Sequence, residues 1–275
     1  AGAALTAHKD VDKIAFTGSS ATGQRIATIL GERIGRYTLE LGGKSAAIVL
    51  DDYDIEAAAN MLAAQECDMS GQVCSSLTRI IVPRRRQRDM QEALAAAFAK
   101  VNVGDPFDSA VNMGPLATSR QREKVEGYIA QARASGFTLA AGGGRPGHLD
   151  RGFYIEPTVF GDVDNRSPLA QEEIFGPVLS VISADSEAHA IDLANDSVFG
   201  LNGAVFTNDV DAAYRIGRQV RSGTFCHNSY AGDFSIAFGG FKQSGIGREG
   251  GVAGLRAYLE PKTLLLQGAP SHLSS

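Results

Sequence analysis

The stretch KIAFTGSSATGQRIATILGERIGRYTLELGGK, residues 13–44, decides the fold class. A short apolar strand leads through a Gly/Ser turn into an amphipathic helix, and a second strand follows. The predicted helix carries four apolar residues on one face: Ile26, Ile29, Leu30 and Ile34. A strand, a helix and a strand in this order predict a βαβ unit, whose two strands run parallel with a right-handed crossover.

The same alternation continues to the end of the chain and predicts an α/β protein with a second, doubly wound sheet. Further strands are predicted at SAAIVL, RIIV, TLAAGG, YIEPTVF, PVLSVI, GAVFT and GTFCHN. Further helices are predicted over residues 55–67, 90–100, 119–135, 187–195 and 210–220. The tail KTLLLQ is predicted to be a lone apolar strand, which favours pairing with another chain. The glycine-rich stretch LAAGGGRPGH is interpreted as a hairpin or loop, since no helical pattern starts at its end.

Composition excludes several classes of protein. A chain of 275 residues with 44% hydrophobic and 21% charged residues is typical of a soluble globular protein with one large domain or two smaller ones. The net charge of -5 disfavours nucleic acid as a partner, and the basic run over residues 84–88 is interpreted as a solvated loop. No run approaches the roughly 20 apolar residues of a membrane span, and no signal peptide is evident. We therefore expect a cytoplasmic protein with no membrane partner.

The three cysteines, Cys67, Cys74 and Cys226, are an odd number with no metal-ligand spacing. This pattern favours neither a disulfide framework nor a metal site, so we expect free thiols. The contexts of Cys67 and Cys226 indicate small buried apolar side chains.

Cys74, in the stretch SGQVCSSL, is either another buried thiol or a nucleophile. It follows a predicted helix and a glycine-containing loop, and it precedes SSLTR, which is predicted to be a short helix. Its backbone N–H could then lie at a helix start and face a developing oxyanion. The residues alone leave both interpretations open.

The candidate base for such a thiol is Glu40. The five histidines are predicted to lie in tails, loops and exposed helix positions, so no Cys-His pair is indicated. Glu40 instead interrupts the apolar strand YTLELGGK just before a Gly-Gly pair, at the strand end where α/β sheets place ligands. Burial there would raise the pKa of Glu40, which suits a general base near neutral pH.

The turn FTGSSATG, residues 16–23, lies between a strand and a helix, where backbone N–H groups can hold a phosphate. It does not match the G-x-G-x-x-G fingerprint, because only Gly18 and Gly23 are glycines. A tight turn capped by Ser19 or Ser20 explains the pattern equally well.

LELGGK followed by GQVC, with Glu40 and Cys74 34 positions apart, resembles the aldehyde dehydrogenase superfamily. Four further motifs agree in order: FTGSSATG, EEIFGPV, FGLNGAVFT and FGGFKQSGIGRE. The resemblance implies an aldehyde dehydrogenase-like fold with three parts. Residues 1–40 would be the second half of a Rossmann-type cofactor domain, residues 41–245 a doubly wound catalytic domain, and residues 246–275 a return segment with an oligomerisation strand.

The resemblance also implies oxidation of an aldehyde to a carboxylic acid with NAD or NADP. Cys74 would form the thiohemiacetal and then the thioester, and Glu40 would activate the water that hydrolyses the thioester. Ser19 resembles the pyrophosphate contact, Glu173 the ribose ligand and Phe175 the ring beside the nicotinamide. The implied cofactor residues are Phe16, Thr17, Gly18, Ser19, Gly23, Leu41, Gly42, Glu173 and Phe175. For Glu172, Lys242 and Arg248, a structural role is as well supported as a chemical one.

The implied partners are a small-molecule aldehyde and further copies of the chain in a dimer or tetramer. The family's oxyanion-donating Asn and its adenine-ribose Lys would lie before Ala1, so we expect a piece of a longer enzyme that is inactive by itself. Two alternatives are kept: a non-catalytic scaffold member, and a thiol esterase that works without NAD.

Overall fold

Two β-sheets organise the chain in the computed structural model, which describes residues 1–233 and 235–271. The described residues form these strands: β1 Lys13–Thr17, β2 Arg36–Glu40, β3 Ser45–Val49, β4 Leu77–Pro83, β5 Thr138–Ala141, β6 Thr158–Gly161, β7 Val178–Ala184, β8 Gly203–Phe206, β9 Cys226–His227 and β10 Gly245–Ile246. They also form these helices: α1 Gly2–Ala7, α2 Ser20–Gly31, α3 Ile55–Cys67, α4 Gln87–Phe98, α5 Ser119–Ala134, α6 Pro168–Gln171, α7 Glu187–Asn195, α8 Val210–Gly217 and α9 Gly251–Arg256.

The smaller sheet has the strand order β1-β2-β10 and confirms the predicted βαβ unit. Strands β1 and β2 are parallel, with Thr17 opposite Glu40. Strand β10 adds to β2 in the antiparallel direction, and Gly245 pairs with Glu40. Strand β10, which follows Glu40 by about 200 residues in the sequence, therefore fixes the strand end that carries Glu40.

Helix α2 packs on this sheet through Ile26 and Leu30, which are buried. The prediction that Ile34 shares this face is wrong. The helix ends at Gly31, Gly35 N–H donates to Leu30 O at 2.8 Å, and Ile34 has a φ of 56° with 92% of its surface exposed. The chain must turn sharply here to enter β2, and this turn carries Ile34 away from the sheet.

The larger sheet has the order β5-β6-β7-β4-β3-β8-β9, and all its pairs are parallel except β5 with β6. Every residue of β3 is buried. Ala46 and Ile48 join a core cluster with α5, α7 and α8, while Ala47 and Val49 join a second cluster with α3 and α4. Alternate residues of one strand thus pack on opposite layers, as a doubly wound sheet requires.

Several predicted boundaries differ from the structure. SSLTR is not a helix, because Leu77 begins β4. The helix predicted over residues 90–100 spans Gln87–Phe98, and the one predicted over residues 210–220 ends at Gly217. The basic run is not a plain solvated loop: Arg86 donates to Leu50 O at 2.6 Å and to Tyr53 O at 2.8 Å.

The tail KTLLLQ forms no strand in the described part of the chain, so the lone strand predicted there is wrong for the single chain. Leu264, Leu265 and Leu266 expose 66%, 92% and 61% of their surface. A strand without a partner cannot satisfy its backbone hydrogen bonds, which explains the difference. Its pairing with another chain, and the three-part domain division, stay predictions.

Over the described residues, no helix is both long and apolar enough to cross a membrane. Cys67 and Cys226 are buried free thiols, as expected, and Cys74 is half-buried. In the same residues, no group of three or more His, Cys, Asp or Glu is arranged to hold a metal ion. The cytoplasmic location stays a prediction, which cell fractionation would check.

Arg79, in the centre of β4, is a charged group that the sequence pattern placed in an apolar strand. Only 2% of its surface is exposed, and burial lowers its pKa to about 10. Its guanidinium donates to four acceptors on three segments: Lys44 O, Asn165 Oδ1, Leu193 O and Ala194 O, at 2.8–2.9 Å. The side chain ties β3, β4 and the end of α7 together.

Replacing Arg79 with Met should lower the free energy of unfolding by about 3–5 kcal/mol, because four buried acceptors lose their donor. Urea denaturation checks this. Arg88→Met is the matched control, since Arg88 is exposed in its pair with Glu92, and its midpoint should stay nearly that of wild type. Equal midpoints for the two variants would contradict the role of Arg79.

Candidate active site

The segment that joins the two sheets, residues 41–44, lies at the centre of the candidate site. Gly43 N–H donates to Glu173 Oε1 at 3.1 Å, and a Cβ on Gly42 would lie 2.5 Å from Glu173 Oε2. A Cβ on Gly43 would collide with the carbonyl oxygen of Cys74. Two residues without side chains thus allow Glu173 and Cys74 to approach the strand end that carries Glu40.

Cys74 lies in a turn between the 3₁₀ turn Asp68–Gly71 and β4. Met69 and Ser70 take positive φ values of 45° and 58°, which non-glycine residues rarely adopt. Ser70 Oγ donates to Gly114 O at 2.9 Å and holds this backbone. The thiol therefore sits on a shaped loop and not at a helix start, contrary to the expectation from SSLTR.

The surroundings of Cys74 raise its pKa. Burial contributes most, followed by the Glu173 carboxylate, and Glu40 adds to the effect. Interactions of the sulfur with the backbone N–H groups of Cys74 and Ser75 lower the pKa in part. Because the net shift is upward, the resting group is a thiol near neutral pH and needs a base to become nucleophilic.

Glu40 has the properties of such a base. It exposes 3% of its surface, and neither carboxyl oxygen has a hydrogen-bond partner in the described part of the chain. Its pKa is raised to about 7, chiefly by burial and next by the Glu249 carboxylate, while Arg248 lowers it in part. The predicted rise is confirmed, and the carboxyl group can take or release a proton at physiological pH.

The loop that carries Glu173 and Phe175 is held by helix α5. Gln121 Nε2 donates to the carbonyl oxygens of Ile174 and Phe175, at 2.9 and 2.6 Å. Phe175 has a φ of 61°, a strained value for an aromatic residue, and it is 38% exposed. These two hydrogen bonds hold the strained peptide.

Two further side chains of α5 fix the same loop. Lys124 Nζ donates to Glu173 O at 2.7 Å, and Tyr128 OH donates to Glu172 Oε2 at 2.5 Å. Sequence reasoning missed these residues and Gln121. The available signal was their spacing, which places Gln121, Lys124 and Tyr128 on one face of a helix that was predicted.

The Gly/Ser turn packs directly on the Glu40 strand end. Ser19 Oγ accepts the Thr22 N–H at 3.3 Å and caps α2, so Ser19 and not Ser20 is the cap. Gly18 N–H donates to Glu40 O at 3.0 Å, and a Cβ on Gly18 would lie 2.6 Å from the Phe16 ring. The turn follows Thr17, the last residue of β1.

Gly23 and Leu41 connect α2 to the same strand end, since a Cβ on Gly23 would lie 2.5 Å from Leu41 Cδ2. All nine predicted cofactor residues thus lie on three neighbouring segments: the Gly/Ser turn with the start of α2, the connecting segment, and the Glu173 loop. Their contact with a cofactor stays a prediction.

Lys242 and Arg248 both hold backbone. Lys242 Nζ donates to Asn195 O and Ser197 O, at 2.7 and 2.9 Å. Arg248 donates to the carbonyl oxygens of Gly240 and Gly247, and its guanidinium lies over the Phe241 ring. These contacts favour the structural interpretation of both residues, and Glu172 likewise accepts from Tyr128.

The histidines described by the structure form no hydrogen bond with Cys74 there. His227 lies in β9, within the predicted strand GTFCHN and not in a tail, loop or helix, and its Nε2 lies 2.9 Å from Thr207 O. His148 Nε2 lies 3.1 Å from Val103 O. His272 is outside the described residues. Glu40 therefore stays the candidate base.

Comparison with known proteins agrees with this geometry. The sequence profile of the aldehyde dehydrogenase family matches residues 1–264. The chain belongs to the aldehyde dehydrogenase family. A betaine aldehyde dehydrogenase of Brucella melitensis is 45% identical over 269 residues, which cover 97% of this chain and 55% of the relative. The chain thus spans about half the length of the curated relatives it matches.

Solved aldehyde dehydrogenase structures share the fold. The Mycobacterium tuberculosis aldehyde dehydrogenase, solved with NAD+, has a TM-score of 0.95 and 48% identity, covering 98% of this chain and 56% of that one. A mutant aldehyde dehydrogenase from Pseudomonas syringae, solved with NAD+ and octanal, has a TM-score of 0.92 and 38% identity, covering 94% and 54%. The aldehyde dehydrogenase-like α/β fold is therefore confirmed.

The packing of this family member at Gly43 can be tested directly. Gly43→Ala should displace the Cys74 carbonyl and slow iodoacetamide alkylation of Cys74 by about tenfold or more, because a 1 Å misplacement is costly at such sites. Rates are measured by peptide mass analysis. Gly127→Ala in α5 is the control, since a Cβ there meets nothing within 4 Å. An unchanged rate in the correctly folded Gly43→Ala variant would contradict the packing argument.

Proposed function

We propose that the native protein carrying these residues oxidises an aldehyde to a carboxylic acid with NAD(P)+, through a thiohemiacetal and a thioester on Cys74. The observation that carries the proposal is the approach of Cys74 and Glu173 to Gly42 and Gly43, immediately beyond Glu40. Because the chain spans about 55% of its relative, the activity is proposed for the whole protein.

In the first half-reaction, Cys74 Sγ attacks the aldehyde carbon, and the thiol proton passes to a base. Glu40, which raises the pKa of the Cys74 thiol, is the candidate acceptor of that proton. The carbonyl oxygen becomes an oxyanion, and backbone N–H groups at the thiol-bearing turn can stabilise it. Loss of a hydride from this carbon gives the thioester.

Glu40 then releases the thiol proton to solvent, and in the second half-reaction it takes a proton from water, which it later returns to the sulfur. The water oxygen adds to the thioester carbon, and the C–S bond then breaks. The carboxylic acid leaves, and the sulfur regains a proton as the Cys74 thiol. A carboxyl group with a pKa of about 7 can accept a proton and release it again within one cycle at neutral pH.

When bound, NAD(P)+ supplies the acceptor for the hydride. The residues present fit such a group: Glu173 presents carboxylate oxygens suited to a ribose diol, and Ser19 caps the twelve-residue helix α2, whose N-terminus suits a phosphate. Phe175, partly exposed, offers a ring surface. The M. tuberculosis structure with NAD+ supports NAD+ as the first cofactor to assay.

The proposed substrate is a small-molecule aldehyde. Betaine aldehyde, named for the Brucella relative, and octanal, present in the P. syringae structure, define a polar and an apolar candidate. We also propose a homo-oligomer, because three exposed leucines, Leu264 to Leu266, lie in the tail. Light scattering of the native protein checks the oligomer, and a monomer would exclude it.

Variants at Cys74 and Glu40 should separate the two half-reactions. Cys74→Ser should abolish NADH formation, since no thioester can form. Glu40→Gln should still give a single-turnover burst of NADH, slowed because the thiol loses its proton acceptor, while steady-state turnover falls by about 100- to 10,000-fold, the usual effect of losing a general base. Glu56→Gln, an exposed acid in α3, is the control. Unimpaired turnover by Cys74→Ser would exclude the mechanism.

Steady-state turnover, where thioester hydrolysis limits it, should rise with pH around pH 7. Glu40 acts as a base only when ionised, and its pKa is raised to about 7. Rates measured from pH 5 to 9 check this, with Glu56→Gln again as the control. A profile in which Glu40→Gln shows the same rise as wild type would assign the titration to another group.

The 275 residues expressed by themselves should not turn over aldehyde, because they span only 55% of the length of the Brucella relative. Robust NAD-dependent turnover by the purified chain would refute this. Hydrolysis of an activated ester without NAD, lost in Cys74→Ser, would indicate the thiol esterase alternative for that chain. A native protein with neither activity would support the scaffold alternative.

A further inference from the structure

The turn that carries Cys74 is tied to the segment after β9 by one side-chain hydrogen bond. Tyr230 OH and Ser75 Oγ lie 2.8 Å apart, and Ser75 follows Cys74 directly. The Tyr230 ring is partly buried and packs against the core cluster of α3 and α4. The residues that follow, Ala231 to Asp233, are exposed. Tyr230 is thus the last partly buried residue before the exposed run Ala231 to Asp233.

The backbone on either side of the thiol is fixed by other contacts. Asn202 Nδ2 donates to Ser75 O at 3.2 Å, and Gly43 packs against the Cys74 carbonyl. Neither contact restrains the Ser75 side chain. Its hydroxyl has Tyr230 as its one hydrogen-bond partner in the described part of the chain.

The phenol also lies within electrostatic reach of the sulfur. Burial raises the pKa of Tyr230 most, the hydrogen bond with Ser75 lowers it, and the electrostatic influence of Cys74, Asp68 and Glu66 raises it. The charged groups that act on Cys74 are Glu173, from the loop after α6, and Glu40, from β2. Tyr230 approaches the thiol from a third element, the segment after β9.

From this geometry we propose that Tyr230 is a positioning residue for the nucleophile: through Ser75 Oγ it fixes the Cys74–Ser75 peptide so that the Ser75 N–H faces Sγ. The proposal rests on the proposed role of Cys74. Tyr230 itself transfers no proton. Tyr230 lies outside the motifs that carry the family resemblance, and it acts on the thiol only through Ser75.

The test is the pH dependence of iodoacetamide alkylation of Cys74 in the native protein, followed by peptide mass analysis. Tyr230→Phe and Ser75→Ala should each slow alkylation by about 3- to 10-fold near pH 8 and move the titration midpoint upward, since the sulfur loses a charge-assisted hydrogen bond. The double variant should be no slower than either single one, because both remove the same contact.

Tyr154→Phe is the matched control, since Tyr154 is partly buried against the same core cluster and its hydroxyl forms no hydrogen bond in the described residues. The Cys74 profile of this variant should equal that of wild type. If Tyr230→Phe unfolds the protein, Ser75→Ala, a much smaller change, decides alone.

A Cys74 profile that Tyr230→Phe and Ser75→Ala leave unchanged would overturn the proposal, and so would additive effects in the double variant. This failure differs from failure of the proposed function. If the proposed function failed, iodoacetamide would alkylate wild-type Cys74 no faster than buried Cys67 and Cys226, or the Cys74→Ser variant would keep its turnover.

Discussion

The missing side chains of Gly42 and Gly43 are the constraint on which the candidate site depends. These residues join the two sheets, and their backbone touches a carboxylate on one side and the carbonyl of Cys74 on the other. Any Cβ would push these groups apart. Glu173 and Cys74 can therefore approach the strand end that carries Glu40 only where the connecting chain has no side chains.

The groups around this connection are held by contacts that come from distant parts of the chain. Helix α5 holds both carbonyl oxygens of the strained Phe175 region, and β10 pairs with the strand end that carries Glu40. Arg79 ties the larger sheet together beneath the site through acceptors on separate segments. Precise placement thus comes from the scaffold, and the reactive loop contributes its own hydrogen bonds through Ser70.

Burial shifts the pKa values of Glu40 and Cys74 by one physical cause. Low polarity disfavours the charged form of each acid, so both pKa values rise. For the carboxyl group the rise ends near 7, where it can exchange protons. For the thiol the rise leaves a neutral resting group, and nearby carboxylates reinforce this. The two backbone N–H groups at the sulfur oppose the trend, so small changes in the geometry of that turn act on reactivity.

The sequence by itself determined the βαβ unit and the doubly wound sheet, because apolar periodicity is written in neighbouring residues, and its motifs led us to propose Glu40 and Cys74 as the reacting pair. Only the tertiary structure decided the rest. Ile34 leaves its helix face because the chain must turn into β2, and SSLTR enters a strand because β3 and β7 pair with it. Hydrogen bonds join Gln121, Lys124 and Tyr128 to the Glu173 loop, and another joins Tyr230 to Ser75. The residues in each pair lie far apart in the chain. Such contacts depend on how the helices pack on the sheets, so no pattern of neighbouring residues predicts them.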